Sequence, residues 1–171
     1  AEKIRSGGAE IVIAGGAEAW LVATELAAAK AAVVLDPLVN LPASFDALGA
    51  RLDNAARLQR AGVVVVFSMT GLAPHFAHKV RQSAGNAVAH GMPWDAALAG
   101  LTANPAAVFG LGASRGRIET GMVADLVLWN GDPLEVTSAA DQVWVGGKPM
   151  SMRSRQTELL DRYLPQATRQ P

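Results

Sequence analysis

The hydrophobic residues of this chain fall into short continuous runs separated by helical stripes. Three such runs, rich in β-branched residues, occupy residues 11–14, 32–35 and 63–68. The first is followed by Gly15-Gly16 and the second by Asp36-Pro37, and the third is ended by Ser68-Met69-Thr70-Gly71. A strand that is apolar at consecutive positions is typical of a parallel sheet covered on both faces. The pattern therefore predicts three buried parallel strands, of which 63–68 is the most apolar.

Two amphipathic stretches, residues 17–30 and 45–60, separate the three predicted strands. Their inward-facing positions recur at the helical spacing and are Ala19, Val22, Ala23, Leu26 and Ala27 in the first and Leu48, Leu52 and Ala55 in the second. Three strand–helix units in succession predict right-handed crossovers and a parallel sheet. Functional groups of such sheets gather just beyond the carboxyl ends of the strands.

The second half of the chain changes from helical to β periodicity near Gly116. Helices are predicted over residues 75–90, 93–101 and 104–110. Gly91 is expected to end the first of them, and Asn104 to cap the last with Pro105 at its first position. Short strands are predicted at 117–119, 124–129 and 142–145, followed by a helix at 154–163.

Composition excludes several classes of function. The 171 residues are 50% hydrophobic and 18% charged, and 15 basic side chains balance 15 acidic ones. Such a balance gives no electrostatic attraction to nucleic acid or to an anionic membrane. No apolar run approaches the roughly 18–20 residues that span a bilayer. The absence of cysteine excludes disulfides and thiolate metal sites and leaves localisation open. A start at Ala1, without methionine, favours a segment of a longer protein.

Several sequence motifs resemble the C-terminal end of the amidohydrolase superfamily, and most closely its imidazolonepropionase-like members. The clearest motifs are L-T-A-N-P-A-A-V-F-G-L at 101–111, G-R-I-E-T-G-M-V-A-D-L-V-L-W-N-G-D-P at 116–133 and V-W-V-G-G-K at 143–148. Residues 14–20 and 61–63 also resemble the sixth and eighth barrel units of that family. The similarity covers about residues 8–163.

The resemblance implies an α/β fold: the C-terminal part of a (β/α)8 TIM-like barrel with strands of a small composite β-sandwich. It divides the chain into a partial barrel (1–112), strands of the small β domain (113–150) and a C-terminal helix and tail (151–171). Only three of eight strand–helix units are present, and an open apolar sheet exposes its edges and one face. We therefore expect the N-terminal half, or a second chain, to complete the sheet.

The activity implied by the resemblance is metal-dependent hydrolysis of C–N bonds in amides or cyclic amides. The family binds a divalent metal, zinc foremost, through histidines and acids that follow the barrel strands. Here Ala14-Gly15 occupies the place of one histidine, and the expected Asp is replaced within Ser68-Met69-Thr70. No metal ligand is therefore predicted in this segment, and its catalytic residues stay unassigned. The alternative is a catalytically degenerate relative that acts as a binding or structural module.

Polar and glycine residues after the predicted strands are candidates to line a pocket for a small-molecule substrate. They are Gly15, Glu18, Asp36, Asn40, Ser68, Thr70 and His75. Asp36 could bind substrate or act as a turn acceptor. His75 and His78 are spaced to chelate a metal, but polar surface or pocket-lining roles are the alternative. We interpret Asp125 as structural, His90 as a helix C-terminal residue, and the four tryptophans as packing residues.

Overall fold

The computed structural model describes residues 11–39, 42, 45–69 and 74–167. Within them the chain forms two three-stranded sheets. The first contains β1 (Val12–Ala14), β2 (Ala32–Leu35) and β3 (Val64–Phe67), in that order and all parallel. The prediction of three parallel strands is confirmed, and β2 has the predicted bounds.

The strand register divides the side chains of the first sheet into two faces. Val12, Ala32 and Val64 lie side by side, as do Ile13, Val33 and Val65. Because side chains alternate along a strand, the odd-numbered positions form one face, which we call the helix face: Ile13, Val33, Leu35, Val65 and Phe67. The even-numbered positions form the opposite face, which we call the open face: Val12, Ala14, Ala32, Val34, Val64 and Val66.

The helix face is the centre of the hydrophobic core. It packs against α2 (Asn54–Arg60), α3 (Val80–Ala89) and α4 (Trp94–Leu101), which contribute Leu58, Ala84, Ala87 and Ala97. Val33 and Leu58 are both 0% exposed. Full burial of such side chains stabilises the fold by about 1.5–3 kcal/mol each. The open face is covered only in part: Val12 is 42% and Val64 is 40% exposed, whereas Ala32 and Val66 are buried. Double coverage was therefore predicted correctly for the helix face and only in part for the open face.

The helices between the strands are shorter than predicted. Residues 17–30 contain a 3-10 helix, Ala19–Val22, followed by α1 (Ala23–Ala28). Residues 45–60 contain the 3-10 helix Phe45–Ala47 and α2. The inward assignment of Val22, Leu48 and Leu52 is wrong, since they are 46%, 64% and 43% exposed. The helix is interrupted where side chains from the β1 loop bind both backbone groups of Gly49.

The helices after β3 follow the prediction with one correction. The 3-10 helix Pro74–Lys79 leads into α3, and α4 is followed by α5 (Ala103–Val108). Gly91 follows α3 with φ +94°, which suits the predicted cap. Asn104 is not the N-cap of α5, because the helix begins at Ala103. Its side-chain Nδ2 donates instead to the carbonyl oxygen of Val65, 2.8 Å away.

The second sheet is antiparallel and contains β4 (Leu126–Trp129), β5 (Ala140–Val145) and β6 (Lys148–Pro149). The strand predicted at 117–119 is wrong. Arg117 and Glu119 form an ion pair with each other at 3.3 Å, and Ile118 is 87% exposed. The chain ends with α6 (Arg155–Ala167). In the ranges that the structure describes, no helix combines the length and apolarity needed to cross a bilayer.

Candidate functional site

The carboxyl ends of β1, β2 and β3 meet at one edge of the first sheet. The ladder continues past the strands, because the Gly15 amide donates to Val34 O at 2.9 Å and the Ser68 amide donates to Leu35 O at 3.0 Å. Gly15, Asp36 and Ser68 therefore follow adjacent strands at the same end, which we call the strand-end edge. The structure thus brings three predicted pocket residues to one place.

Asp36 is buried and its carboxylate is part of a turn. Asp36 is 8% exposed, and its Oδ1 accepts a hydrogen bond of 3.0 Å from the Leu38 amide. The Asp36 carbonyl accepts from Val39 N at 3.1 Å. This is the geometry of a turn acceptor, one of the two roles expected for Asp36. A direct role in binding substrate stays a prediction.

The loop after β1 is fixed by a residue that sequence reasoning missed. Gly15 and Gly16 have φ values of +96° and +64°, a region that favours glycine. Asn54, at the start of α2, donates its side-chain Nδ2 to Gly16 O at 2.9 Å and Ala17 O at 3.2 Å. Its Oδ1 accepts from the Trp20 amide at 3.1 Å. A lone asparagine in a helical stripe gives no sequence signal for this role.

Glu18 is engaged by the backbone of another loop. Its Oε1 accepts a short hydrogen bond from the Gly49 amide. The neighbouring Trp20 side chain donates from Nε1 to Gly49 O at 2.8 Å. Glu18 therefore joins the loop after β1 to the loop after β2, and its predicted contact with a substrate stays untested.

Trp20 lies within a group of charged side chains, which we call the arginine–tryptophan cluster: Trp20, Arg51, Asp53 and Arg57. The guanidinium carbons of Arg51 and Arg57 lie 5.2 and 5.0 Å from the centroid of the Trp20 ring. Both arginines donate from Nε to Asp53, at 2.7 and 2.9 Å. The hydrogen bond from Arg51, aided by that from Arg57, holds the pKa of Asp53 well below its usual range.

Three of the predicted pocket residues cannot be placed at atomic detail. Asn40 and Thr70 lie outside the described residues. His75 belongs to the 3-10 helix Pro74–Lys79, and its side chain is outside the description. His78, three residues on, is exposed.

The donors at the strand-end edge do not fit a metal site by themselves. β1 is followed by glycines, β3 is followed by Ser68 and Met69, and one oxygen of Asp36 is held by its turn. Across the residues with described placement, no group of three or more histidine, cysteine, aspartate or glutamate side chains could hold a metal ion. The described residues therefore supply no ligand set for a divalent cation by themselves.

A family model described as "Amidohydrolase family" matches residues 61–150. The match runs from the turn before β3 through the second sheet and covers more than half of the chain. The chain belongs to the amidohydrolase family. The superfamily inferred from the motifs at 101–111, 116–133 and 143–148 is thus confirmed. A curated relative, Amidohydrolase tasK of Hapsidospora irregularis, is 47% identical over 58 residues, which are 34% of this chain and 6% of that protein.

Solved structures of amidohydrolases show the same fold over most of the chain. An amidohydrolase from Thermotoga maritima is 29% identical with a TM-score of 0.77, and the match covers 88% of this chain and 39% of that one. An adenosine deaminase from Xanthomonas campestris with bound zinc is 21% identical with a TM-score of 0.60, covering 92% and 42%. The chain therefore spans about two fifths of the length of these two solved proteins.

Proposed function

We propose that this chain is the C-terminal part of an amidohydrolase that hydrolyses C–N bonds in amides or cyclic amides. The observation that carries the proposal is the family match combined with the strand-end edge, where Gly15, Asp36 and Ser68 follow three adjacent parallel strands. Substrates of parallel β/α proteins bind at this end of the sheet. In this proposal residues 1–112 are part of the barrel, 113–150 belong to the small β domain, and 151–171 form the C-terminal extension.

The open face supports completion of the barrel by other strands. Val12 and Val64 remain 42% and 40% exposed on a face that is apolar at every position. In a closed barrel this face would be packed by interior side chains from the other strands. We propose the N-terminal half of the same protein, or a second chain, as the source of those strands.

The residues of this chain would contribute binding and orientation rather than the central chemistry. In this proposal, residues of the N-terminal half would hold most of a divalent metal's coordination sphere, zinc foremost, and the metal would supply Lewis-acid chemistry. Asp36 and Ser68 would form one wall of the pocket through their positions after β2 and β3. Met69 stands where the family carries an aspartate, so a general base would have to come from outside this segment.

The test uses the complete protein that contains this segment. We expect bound divalent metal in stoichiometric amount and hydrolysis of a panel of N-acyl amino acids and cyclic amides, lost with a chelator and restored by metal. We expect Ser68→Ala to lower kcat/KM by about ten-fold. Ser114→Ala is the matched control, since its hydroxyl bonds only to Leu111 O of its own loop. A metal-free protein that binds ligands without turnover would favour the inert binding module instead.

A further inference from the structure

The arginine–tryptophan cluster carries an unbalanced positive charge. Two guanidinium groups, of Arg51 and Arg57, share the single carboxylate of Asp53. Their side chains remain 44% and 38% exposed, so both are accessible to a ligand. Near neutral pH, where Asp53 is ionised, the four side chains of the cluster therefore carry a net charge of about +1.

Only some of the N–H donors of Arg51 and Arg57 bind Asp53. Arg51 uses Nε and Nη2 on Asp53, and Arg57 uses Nε. Among the described residues, no acceptor is assigned to Arg51 Nη1 or to either Nη of Arg57. The Trp20 ring lies against both guanidinium groups and restricts their orientation, which lowers the entropy cost of holding a ligand.

The cluster lies beside the strand-end edge. Trp20 follows β1 by a short loop, and its amide donates to Asn54, whose side chain binds the carbonyls of Gly16 and Ala17. Gly16 directly follows Gly15 of the edge. The loops after β1 and β2 thus place the cluster at the end of the sheet where the proposed substrate would enter.

We propose that Arg51 and Arg57, held by Trp20, form a binding site for a carboxylate group. A planar two-oxygen anion with one negative charge matches the geometry of the guanidinium donors and the single excess charge of the cluster. Resting on the proposed function, this site would select C–N bond substrates that carry a carboxylate away from the scissile bond. Asp53 acts as an internal competitor for the same donors.

The site is tested by NMR on the complete protein that contains this segment, labelled with nitrogen-15 in arginine. Acetate is titrated at constant ionic strength, with chloride as the replaced anion, and the side-chain signals of Arg51 and Arg57 are followed. We expect saturable shifts of both side-chain signals with acetate that chloride at the same ionic strength does not reproduce. The measurement needs no turnover, so an inactive protein would overturn the proposed function and leave this proposal standing.

Two classes of variant sharpen the test. Arg57→Gln should weaken acetate binding by about five-fold. Asp53→Asn should tighten it by a similar factor, because it removes the competing carboxylate and adds one unit of net positive charge. Arg60→Gln is the matched control: Arg60 lies on the same helix and its Nε donates to Ala56 O, so its loss should leave binding unchanged. Amide spectra of each variant verify the fold.

The outcomes that overturn the proposal are distinct. Equal shifts with acetate and chloride, or no change in Asp53→Asn, would mean an adventitious ion only. Tighter binding of inorganic phosphate than of acetate would assign the site to phosphate groups and reject the carboxylate. If Arg60→Gln weakens binding as much as Arg57→Gln, a general effect of surface charge is responsible. Arg51→Lys keeps the positive charge but loses the planar pair of guanidinium donors. Its acetate binding is measured as well, in case Asp53→Asn folds poorly.

Discussion

Asn54 is a single side chain that determines the geometry of the loop after β1. It is 5% exposed, and its amide makes hydrogen bonds to the backbone of Gly16, Ala17 and Trp20. Each of those backbone groups would otherwise need another partner, since buried polar groups are costly to leave unpaired. The position of Gly15 at the strand-end edge therefore depends on a residue far away in sequence.

We predict that Asn54→Ala lowers the free energy of unfolding by about 2–3 kcal/mol, because three backbone groups lose their partner. Urea unfolding followed by tryptophan fluorescence measures the change. Asn86→Ala is the control: Asn86 is exposed and donates only to Gln82 O within α3, so its loss should change stability by less than about 0.5 kcal/mol. Equal effects of the two substitutions would contradict the role assigned to Asn54.

The ion pairs of Asp53 predict a pH dependence of stability. Its pKa in the folded chain lies below the value of about 3.9 expected in the unfolded chain. Its stabilisation is therefore fully present above about pH 4–5 and is lost as the pH falls through the folded pKa. Since the partners are half-exposed, the difference between the native protein and Asp53→Asn should not exceed about 1 kcal/mol at pH 6, and should shrink at pH 3.

The control for this pH effect is a double-mutant cycle. If Arg51 and Arg57 are the cause, Asp53→Asn should have little effect in a chain that already carries Arg51→Gln and Arg57→Gln. A pH-dependent difference that persists in that background would place its origin elsewhere.

At the scale of elements, the connection between β4 and β5 is fastened to α3. Arg81 donates from Nη1 to Pro133 O at 3.0 Å and also to Glu135 O, and from Nη2 to Ser138 O at 2.9 Å. Its guanidinium lies 4.9 Å from the centre of the Trp129 ring. Leu134 from the same connection is buried within the core of the first sheet. The second sheet is therefore attached to the core by both charge and apolar contacts.

We expect Arg81→Ala to lower the free energy of unfolding by about 2–3 kcal/mol, because three carbonyls lose a charged donor. Arg81→Lys should recover little of it, since an ammonium lacks the fixed fork of donors. Chemical denaturation with tryptophan fluorescence reports the change through Trp129. Arg117→Ala, at an exposed ion pair with Glu119, should cost under about 0.5 kcal/mol, and a comparable loss there would refute the specific role of Arg81.

The close packing of α4 on β3 depends on Gly100. A Cβ at this position would lie 2.8 Å from Phe67 Cε2 and 3.3 Å from Val65 O. We predict that Gly100→Ala destabilises the chain by about 1–3 kcal/mol. Helix propensity alone would predict a gain of about 1 kcal/mol, so the sign separates the two effects. Thermal unfolding measures it, and Phe67→Leu in the same chain should restore part of the loss.

The sequence predicted correctly the features that depend on neighbouring residues and missed those that depend on contacts between distant residues. The apolar runs predicted β1, β2 and β3 because a buried strand can be recognised from consecutive apolar residues. The continuous helix over 45–60 failed because distant side chains, Glu18 and Trp20, bind Gly49. Asn104 was assigned as a cap from its local motif with Pro105, yet its partner is a carbonyl of β3. At the candidate site, the sequence placed Gly15, Asp36 and Ser68 after adjacent strands but could not reveal Asn54 or the cluster around Trp20.

At the scale of the whole molecule, the first sheet has one packed face, the helix face, and one face that is covered only in part, the open face. The open face carries only valine and alanine, and Val12 and Val64 are accessible on it. An apolar face of this kind is typical of a surface that binds another part of the protein. The proposal of a larger barrel rests on this observation and on the length of the two solved structures, of which this chain matches about two fifths.

We predict that Val64→Lys prevents assembly with the N-terminal half, because a buried and unpaired ammonium is costly. Co-expression of the two halves, with only one of them tagged, should recover at least about ten-fold less of the partner with this variant. Val145→Lys is the control, since Val145 is 53% exposed on the second sheet and outside the predicted interface. Equal recovery with both variants would remove the open face as the assembly surface.

The hydrogen bond from Asn104 to Val65 limits how a neighbouring strand can join β3. The Ser68 amide donates to Leu35, so the even-numbered peptide groups of β3 face β2 and the odd-numbered ones face the outer edge. The outward carbonyl of Val65 is already occupied by α5 through Asn104. An incoming strand would compete with α5 for the Val65 carbonyl but not for the outward peptide groups of Phe67. We expect such a strand to be displaced towards the carboxyl end of β3, a stagger of the kind that a tilted, closed barrel requires.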